Sequence, residues 1–177
     1  FTKGLDQEKY FTYLRSVRKS IDLFREANIP LQAEAAVLQQ QYGSIAGKMM
    51  IEQDGQEYTL QQAGKFLESE DRQIRETVYK KIAERRLVDK EPLNELFSKL
   101  IALRHQVALN AGFSNYRDYK FAEMGRFDYT PASCFQFHEA VKKEVVPLVN
   151  QIYQEQQQRL GLDNMRPWYT EAEPACI

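Results

Sequence analysis

Histidine and cysteine are scarce in this chain, which has two of each among its 177 residues. Cys134 and Cys176 lie far apart, and neither belongs to a Cys-x-x-Cys pair. This pattern excludes a disulfide framework and argues against a thiolate metal site. Such low cysteine usage favours a reducing, cytoplasmic location.

The two histidines, His105 and His138, are poorly placed for a metal. A zinc helix of the His-Glu-x-x-His type needs a second imidazole four residues after the first, so that both face one ion. After His138-Glu139 that position is Lys142, a cation that does not bind zinc. The Glu-x-x-His spacing of metal sites in helical bundles is also absent around both histidines. We therefore predict that the chain has no metal site and no catalytic residue.

The net charge is also close to zero, because the chain has 24 basic and 25 acidic residues. Such a chain has no long-range field to attract a nucleic acid or an anionic membrane. No apolar run approaches the length of a membrane span, and no signal peptide opens the chain. We expect neither a nucleic acid nor a membrane as partner. The first residue, Phe1, is not methionine, which suggests that the chain begins inside a longer gene product.

Most of the sequence has helical periodicity, because apolar residues recur at steps of three and four. The spacing predicts helices over residues 6–28, 31–46 and 59–67, and further helices that begin near residues 69, 89, 114 and 131. Pro30 predicts a break between the first two helices. No Gly/Ser linker or solenoid repeat divides the chain. We predict one helical domain over residues 1–161 and an irregular tail over residues 162–177.

One short segment departs from the helical pattern. Asp54-Gly55 separates two extended runs within residues 48–59, and both central positions of such a turn need positive φ. We predict a β-hairpin here, packed against helices because two strands alone are marginal in water. The predicted fold class is all-α with this one small hairpin.

Individual residues predict several helix ends. Thr59 with Gln62 predicts a capping box, and Gly112 predicts a left-handed helix end. Pro147 predicts a kink inside the last long helix, whose apolar face includes Phe137 and Leu148. Other predicted N-terminal caps are Ser69, Asp89 and Thr130.

Aromatic residues cluster between the fifth predicted helix and the last one. They are Phe113, Tyr116, Tyr119, Phe121, Phe127 and Tyr129. Aromatic side chains with polar tips bind extended peptides well, so the cluster could line a peptide-binding cleft. Packing between two helices is the commoner use of such a group, and both interpretations stay open. Arg126 and Asp128 could pair with neighbours or with a ligand.

Several stretches of the chain together form a specific pattern. The central one runs from Leu103 to Tyr119, and Gly125-Arg126-Phe127-Asp128-Tyr129-Thr130-Pro131 follows it. The other stretches are Asp54-Gly55 with Tyr58-Thr59-Leu60-Gln61-Gln62, Glu84-Arg85-Arg86-Leu87, Val145-Val146-Pro147-Leu148, and Leu160-Gly161-Leu162-Asp163 leading to Arg166-Pro167-Trp168. This pattern resembles the oligoendopeptidase F family, zinc peptidases related to thimet oligopeptidase. One departure is Tyr169, where the family usually has aspartate.

The resemblance implies a fold and an activity. Members of that family are almost wholly helical, with two lobes around a channel that admits short unfolded peptides. Zinc lies on a helix bearing His-Glu-x-x-His, polarises the scissile carbonyl and activates water. This chain resembles the part ahead of that helix, the helical lobe of a zincin-type oligopeptidase. Its tail would then lead toward a catalytic lobe that the chain lacks, and Tyr116, Tyr119, Arg126 and Tyr129 would lie at the channel wall or in packing.

By this resemblance the intact parent is a cytoplasmic zinc metalloendopeptidase that hydrolyses short oligopeptides. Its partners would be the oligopeptide substrate and the catalytic lobe of the same polypeptide, and its cofactor would be zinc. No metal ligand or catalytic residue of the family transfers to this chain, so we expect the isolated chain to be inactive. The alternative is a free-standing helical module that binds peptides or proteins without catalysis. Irregular stripes and the hairpin argue against a coiled-coil scaffold.

Overall fold

A computed structural model of the chain describes residues 4–170. Phe1, Cys176 and the end of the predicted tail lie outside these described residues. The helices are α1 Phe11–Leu23, α2 Asn28–Gly47, α3 Leu60–Ala63, α4 Arg72–Val88, α5 Lys90–Asn110, α6 Tyr116–Glu123, α7 Pro131–Ala140 and α8 Val146–Arg159. Two 3-10 segments, Gly64–Glu68 and Pro167–Tyr169, and a π-helical turn, Val141–Val145, accompany them. Strands β1 Met50–Gln53 and β2 Gln56–Thr59 form one antiparallel pair. The predicted all-α class with one hairpin is confirmed. Within residues 4–170, no helix is both long and apolar enough to cross a membrane.

The chain divides into two compact units, each made of two separate segments. The first unit takes in the residues up to Gln39 together with Leu96–His138. The second takes in Gln40–Glu95 and the residues from Glu139 onward.

The hairpin supports the core of the second unit. Asp54 and Gly55 have φ values of 53° and 75°, as the predicted turn requires. Ile51 on β1 packs with the α4 stripe formed by Val78 and Ile82. Val78 is fully buried. The strands therefore gain their stability from α4, which confirms the prediction that the hairpin lies against a helix.

The first unit has its own core around α5 and α6. Its buried members are Val107, Ala108, Ala111 and Tyr119. Gly112, with φ of 88°, ends α5 in the predicted left-handed conformation. The N–H of Phe113 then donates to the carbonyl of Ala108 at 3.0 Å, and its side chain packs against this core. This helix end turns the chain directly into the segment that carries the nominated tyrosines.

Some predicted helix ends are wrong. The first helix spans Phe11–Leu23 instead of residues 6–28, and α2 begins at Asn28, so that Pro30 lies in its first turn. Proline is tolerated there because the first N–H groups of a helix have no helical acceptor. Asp71 rather than Ser69 caps α4, since its carboxylate accepts from the N–H of Gln73 at 2.7 Å.

Of the other predicted N-caps, Thr59 and Thr130 are confirmed and Asp89 is wrong. The capping box of Thr59 and Gln62 is confirmed, and the hydroxyl of Thr130 accepts from the N–H of Ser133 at 3.3 Å. Asp89 instead ends α4, and its carboxylate accepts from Arg85 at 2.5 Å. The Asp89 carboxylate, which was predicted to cap the next helix, is therefore bound by Arg85 one turn earlier on α4.

Where a kink was predicted at Pro147, the structure has a π turn, Val141–Val145, just before the proline. Proline has no N–H to donate to the carbonyl four residues earlier, and its ring would clash with that carbonyl. The N–H of Val146 donates instead to the carbonyl of Val141, five residues back. The apolar face predicted for this helix is present but remains open within the described chain, with Phe137 67% and Leu148 57% exposed.

Candidate functional site

A polar network fixes the start of α6 in the first unit. The side-chain oxygen of Asn115 accepts from the N–H of Asp118 at 2.9 Å and caps the helix. The Asp118 carboxylate accepts from Arg117 Nε and from Asn115 Nδ2, each at 2.8 Å. These two hydrogen bonds, the one from Arg117 first, hold the pKa of Asp118 below its usual value. The network sets the orientation of α6 and thus of Tyr116 and Tyr119.

Tyr119 is the buried member of the nominated set, with 4% of its surface exposed. Its ring lies edge-on to Phe113 at 5.7 Å and tilted against Tyr116 at 5.9 Å between ring centres. Burial raises the pKa of the Tyr119 hydroxyl, and the nearby carboxylate of Glu123 adds to the effect. A hydrogen bond with Gln32 on α2 acts in the opposite direction. Tyr119 therefore contributes its ring to the core.

Tyr116 faces a groove formed by α2, α5 and α6, which we call the α6 groove. The groove has a volume of about 350 Å³. The Arg104 guanidinium lies over the ring of Tyr116 at 5.9 Å, and Lys120 forms an ion pair with Glu123 at the same surface. The lining residues are Gln32, Ala35, Gln39, Arg104, Val107, Tyr116, Tyr119, Lys120 and Glu123.

Arg126 and Tyr129 belong to a different contact group. Phe121 lies edge-on to Tyr129 at 5.5 Å, and Arg126 lies over Phe121 at 5.0 Å and over Tyr129 at 5.9 Å. Tyr129 is 46% exposed. The four nominated residues thus form two groups, with Tyr116 and Tyr119 at the α6 groove and Arg126 and Tyr129 around Phe121.

A second arginine joins α1 to the connection between α6 and α7. Arg15 lies over the ring of Phe127 at 4.3 Å and forms an ion pair of 3.2 Å with Asp128. Lys19 on the same helix donates to the carbonyl of Glu123 at 2.8 Å. Of the two options left open for Asp128, the structure therefore shows a neighbour as its partner.

The histidines do not form a metal site with their surroundings. His105 and His138 are both exposed, and His138 has the rings of Phe135 and Phe137 at 6.3 and 6.4 Å. Over residues 4–170, no group of three His, Cys, Asp or Glu side chains is placed to hold a metal ion. The donor set described here therefore does not fit a catalytic zinc ion.

Sequence reasoning missed a binding site for the segment Pro167–Tyr169 on α4, in the second unit. Arg75 is 6% exposed and donates to the Trp168 carbonyl at 3.0 Å and to the carbonyls of Ser69 and Glu70 at 2.5 and 2.9 Å. The available signal was its spacing, because Arg75 precedes Val78 and Ile82 by three and seven residues and so lies on the buried stripe. An arginine on the buried face of a helix predicts that buried hydrogen-bond acceptors surround its guanidinium.

Tyr169 is held in the same place. Its hydroxyl accepts from Arg72 Nε at 2.6 Å, and this hydrogen bond raises the pKa of Arg72 above its usual value. The guanidinium groups of Arg72 and Arg75 each lie 5.8 Å from the Tyr169 ring. Position 169 therefore lies beside two cations, and Tyr169 provides a hydroxyl acceptor and a buried ring there.

A protein-family model matches more than half of the chain. The model of peptidase family M3 matches residues 65–172, a range that includes α4, α5, α6 and the Trp168–Tyr169 segment. No curated protein matches the chain.

Solved structures show the same fold. A Bacillus anthracis strain Ames protein assigned as an oligoendopeptidase F aligns with a TM-score of 0.88 and 20% identity, over 97% of this chain and 32% of that one. PZ peptidase A with an inhibitor aligns with a TM-score of 0.86 and 23% identity, over 92% of this chain and 29% of that one. A further oligoendopeptidase F structure gives a TM-score of 0.89 and 22% identity, over 94% of this chain and 30% of that one. The chain spans about a third of the length of these proteins.

Proposed function

The chain belongs to peptidase family M3, and from this we propose that it forms a non-catalytic helical part of a zinc metalloendopeptidase that hydrolyses short oligopeptides. The observation that carries the proposal is the family match over residues 65–172 in a chain whose described residues hold no donor set for zinc. The likeness to oligoendopeptidase F structures over nearly the whole chain supports the same assignment. We also propose a cytoplasmic location for the parent enzyme.

We propose that the zinc ligands and the general base belong to a catalytic lobe of the same polypeptide. When zinc is bound there, it polarises the scissile carbonyl and activates water. Residues 1–161 would supply the helical part, and residues 162–177 would lead toward that lobe. Arg72 donates to the Tyr169 hydroxyl and Arg75 to the Trp168 carbonyl. These hydrogen bonds support this role, because they hold the segment that would lead to the catalytic lobe against α4.

Among the nominated residues, Tyr116 and Tyr129 are the candidates for the channel wall. Tyr116 lines a groove, and Tyr129 is 46% exposed. Tyr119 and Arg126 would act by packing, since Tyr119 is buried and Arg126 lies against two rings. In this arrangement the aromatic faces bind peptide substrate, and no residue of this chain takes part in bond cleavage.

The test compares the isolated chain with the longer product of its own reading frame. That frame is expected to encode His-Glu-x-x-His, and its product should cleave a quenched fluorescent oligopeptide in a reaction abolished by a chelator and restored by zinc. The isolated chain should show no turnover that depends on zinc. Chelator-sensitive turnover by the chain alone would overturn the proposal, and a frame without the motif would favour the non-catalytic binding module.

The wall assignment has a matched pair of variants. In the longer product, Tyr129→Ala should raise KM for the oligopeptide and leave kcat nearly unchanged, because an aromatic contact to bound substrate is lost. Tyr153→Ala removes a ring of similar exposure, 42% against 46%, from a position that was not nominated. Equal effects of the two variants on KM would contradict the role of Tyr129.

A further inference from the structure

We propose that the α6 groove is a binding site for a carboxylate group, presented by a short peptide at its C-terminus or on an acidic side chain. The proposal goes beyond the proposed function, because the groove would bind this group in the chain alone and without any catalytic lobe. Its volume of about 350 Å³ lies within the range of small-ligand sites. That volume accommodates a few residues of a peptide rather than a folded protein surface.

The charges at the groove favour an anion. Its lining contains two cations, Arg104 and Lys120, and one anion, Glu123. Glu123 pairs with Lys120 on the same face of α6, so their charges largely offset each other. Arg104 has no carboxylate within 4.0 Å among the residues that the structure describes. One guanidinium charge in a partly enclosed groove is therefore left for an outside anion.

The position of Arg104 suits this role. Its guanidinium carbon lies 5.9 Å from the centre of the Tyr116 ring, and both side chains line the groove. A guanidinium in such a groove can donate two parallel hydrogen bonds to a carboxylate. The side chains of Gln32, Gln39 and Tyr116 add further polar atoms at the lining. These groups can hydrogen-bond the peptide units next to the carboxylate.

Glu123 sets the strength of the site. Its carboxylate pairs with Lys120 and competes for this cation with any incoming carboxylate. Removing the negative charge would free Lys120 as a second cation and also remove a repulsion between like charges. The groove should consequently bind carboxylates more tightly when residue 123 is neutral.

The test is a titration of the isotope-labelled chain with four peptides, followed by the NMR shifts of backbone amides in α6. The probes are N-acetyl-Ala-Ala-Ala with a free carboxylate, its C-terminal amide, N-acetyl-Ala-Glu-Ala amide and N-acetyl-Ala-Gln-Ala amide. Saturable shifts at Tyr116 and Lys120 are expected only with a carboxylate-bearing peptide. The two carboxylate probes distinguish a C-terminal carboxylate from an acidic side chain. Equal binding of the neutral amides, or no saturable shift with either acid, would overturn the proposal.

Two variants with opposite expected effects complete the test. Arg104→Gln should weaken binding of the carboxylate probe about tenfold, the loss expected for a hydrogen-bonded charge. Glu123→Gln should tighten it about threefold. Arg86→Gln is the matched control, because Arg86 is an exposed arginine on α4 in the second unit and does not line the groove. Unchanged binding in Arg104→Gln, or weaker binding in Glu123→Gln, would refute the assignment, and the second variant decides the question should the first not fold.

Discussion

A single buried amide, Asn28, links α2 to α5 in the first unit. It is 2% exposed, its Nδ2 donates to the carbonyl of Val107 at 3.0 Å, and its Oδ1 accepts from Asn110 at 2.8 Å. Asn28→Ala should lower the free energy of unfolding by about 2–3 kcal/mol, because it leaves buried polar groups without partners. Urea denaturation measures the change. Asn150→Ala, at an exposed helix position, should change stability by less than about 0.5 kcal/mol, and equal losses would contradict this role of Asn28.

Tyr119 provides a pH test of the first core. Burial raises the pKa of its hydroxyl, so the neutral form is favoured in the folded state. The stability that Tyr119 contributes is therefore complete below the unfolded-state pKa of about 10 and is lost as the pH rises through the higher folded value. Titration of tyrosine absorbance at 295 nm should show a late component that disappears in Tyr119→Phe. Loss of the same component in Tyr129→Phe instead would contradict the assignment.

Residue-scale predictions from sequence succeeded where the chemistry is local. The capping box of Thr59 and Gln62 and the left-handed Gly112 each depend on atoms within a few positions along the chain. Arg75 was missed because the Trp168 carbonyl that it contacts lies 93 positions away. A pattern confined to one helix can mark such a residue as buried but cannot say which carbonyl it meets.

At the scale of elements, two residues near the start of α4, Ser69 and Asp71, are candidates for its N-cap, and the structure distinguishes them. Asp71 has the extended backbone of an N-cap, and its carboxylate accepts from Gln73, whereas the Ser69 hydroxyl accepts only from the N–H of Asp71 outside the helix. A carboxylate at this position also faces the positive end of the helix dipole. Asp71→Ala should lower the free energy of unfolding by about 1 kcal/mol.

Ser69→Ala is the control for this prediction, and its effect should stay within about 0.5 kcal/mol. Both variants can be followed by the far-ultraviolet circular dichroism signal during urea denaturation. A larger loss for Ser69→Ala would restore Ser69 as the cap. The two residues could not be ranked from sequence, because Ser and Asp are both good caps and stand two positions apart.

The hairpin turn depends on one glycine. Gly55 has φ of 75°, which an L side chain adopts at a cost of about 1–2 kcal/mol. Gly55→Ala should therefore destabilise the second unit by about that amount. Gly43→Ala is the matched control, because Gly43 lies inside α2 with no atom near the added methyl group. It should stabilise the chain by about 0.5–1 kcal/mol, and a shift of the same sign for both variants in urea would contradict this account.

At the scale of the whole molecule, sequence predicted the class of the fold better than its organisation. Helical periodicity and one Asp-Gly turn were sufficient for an all-α chain with a hairpin. The two units each combine segments that are distant in sequence, and periodicity within single helices carries no information about such pairings. The candidate site shows the same limit, because the sequence grouped Tyr116, Tyr119 and Tyr129 in one aromatic cluster, whereas in the structure Tyr116 contacts Tyr119 and Tyr129 contacts Phe121.

Two cores in one chain lead to a test of local stability. Val78 is fully buried in the second unit, and Val107 is 5% exposed in the first. Replacing either by alanine removes the same two methyl groups and should cost about 2 kcal/mol. Because each side chain packs within its own cluster, Val78→Ala should speed amide hydrogen exchange mainly in β1, β2 and α4, and Val107→Ala mainly in α5 and α6. Exchange that rises equally in both units for either variant would show instead that the two cores open together as one cooperative structure.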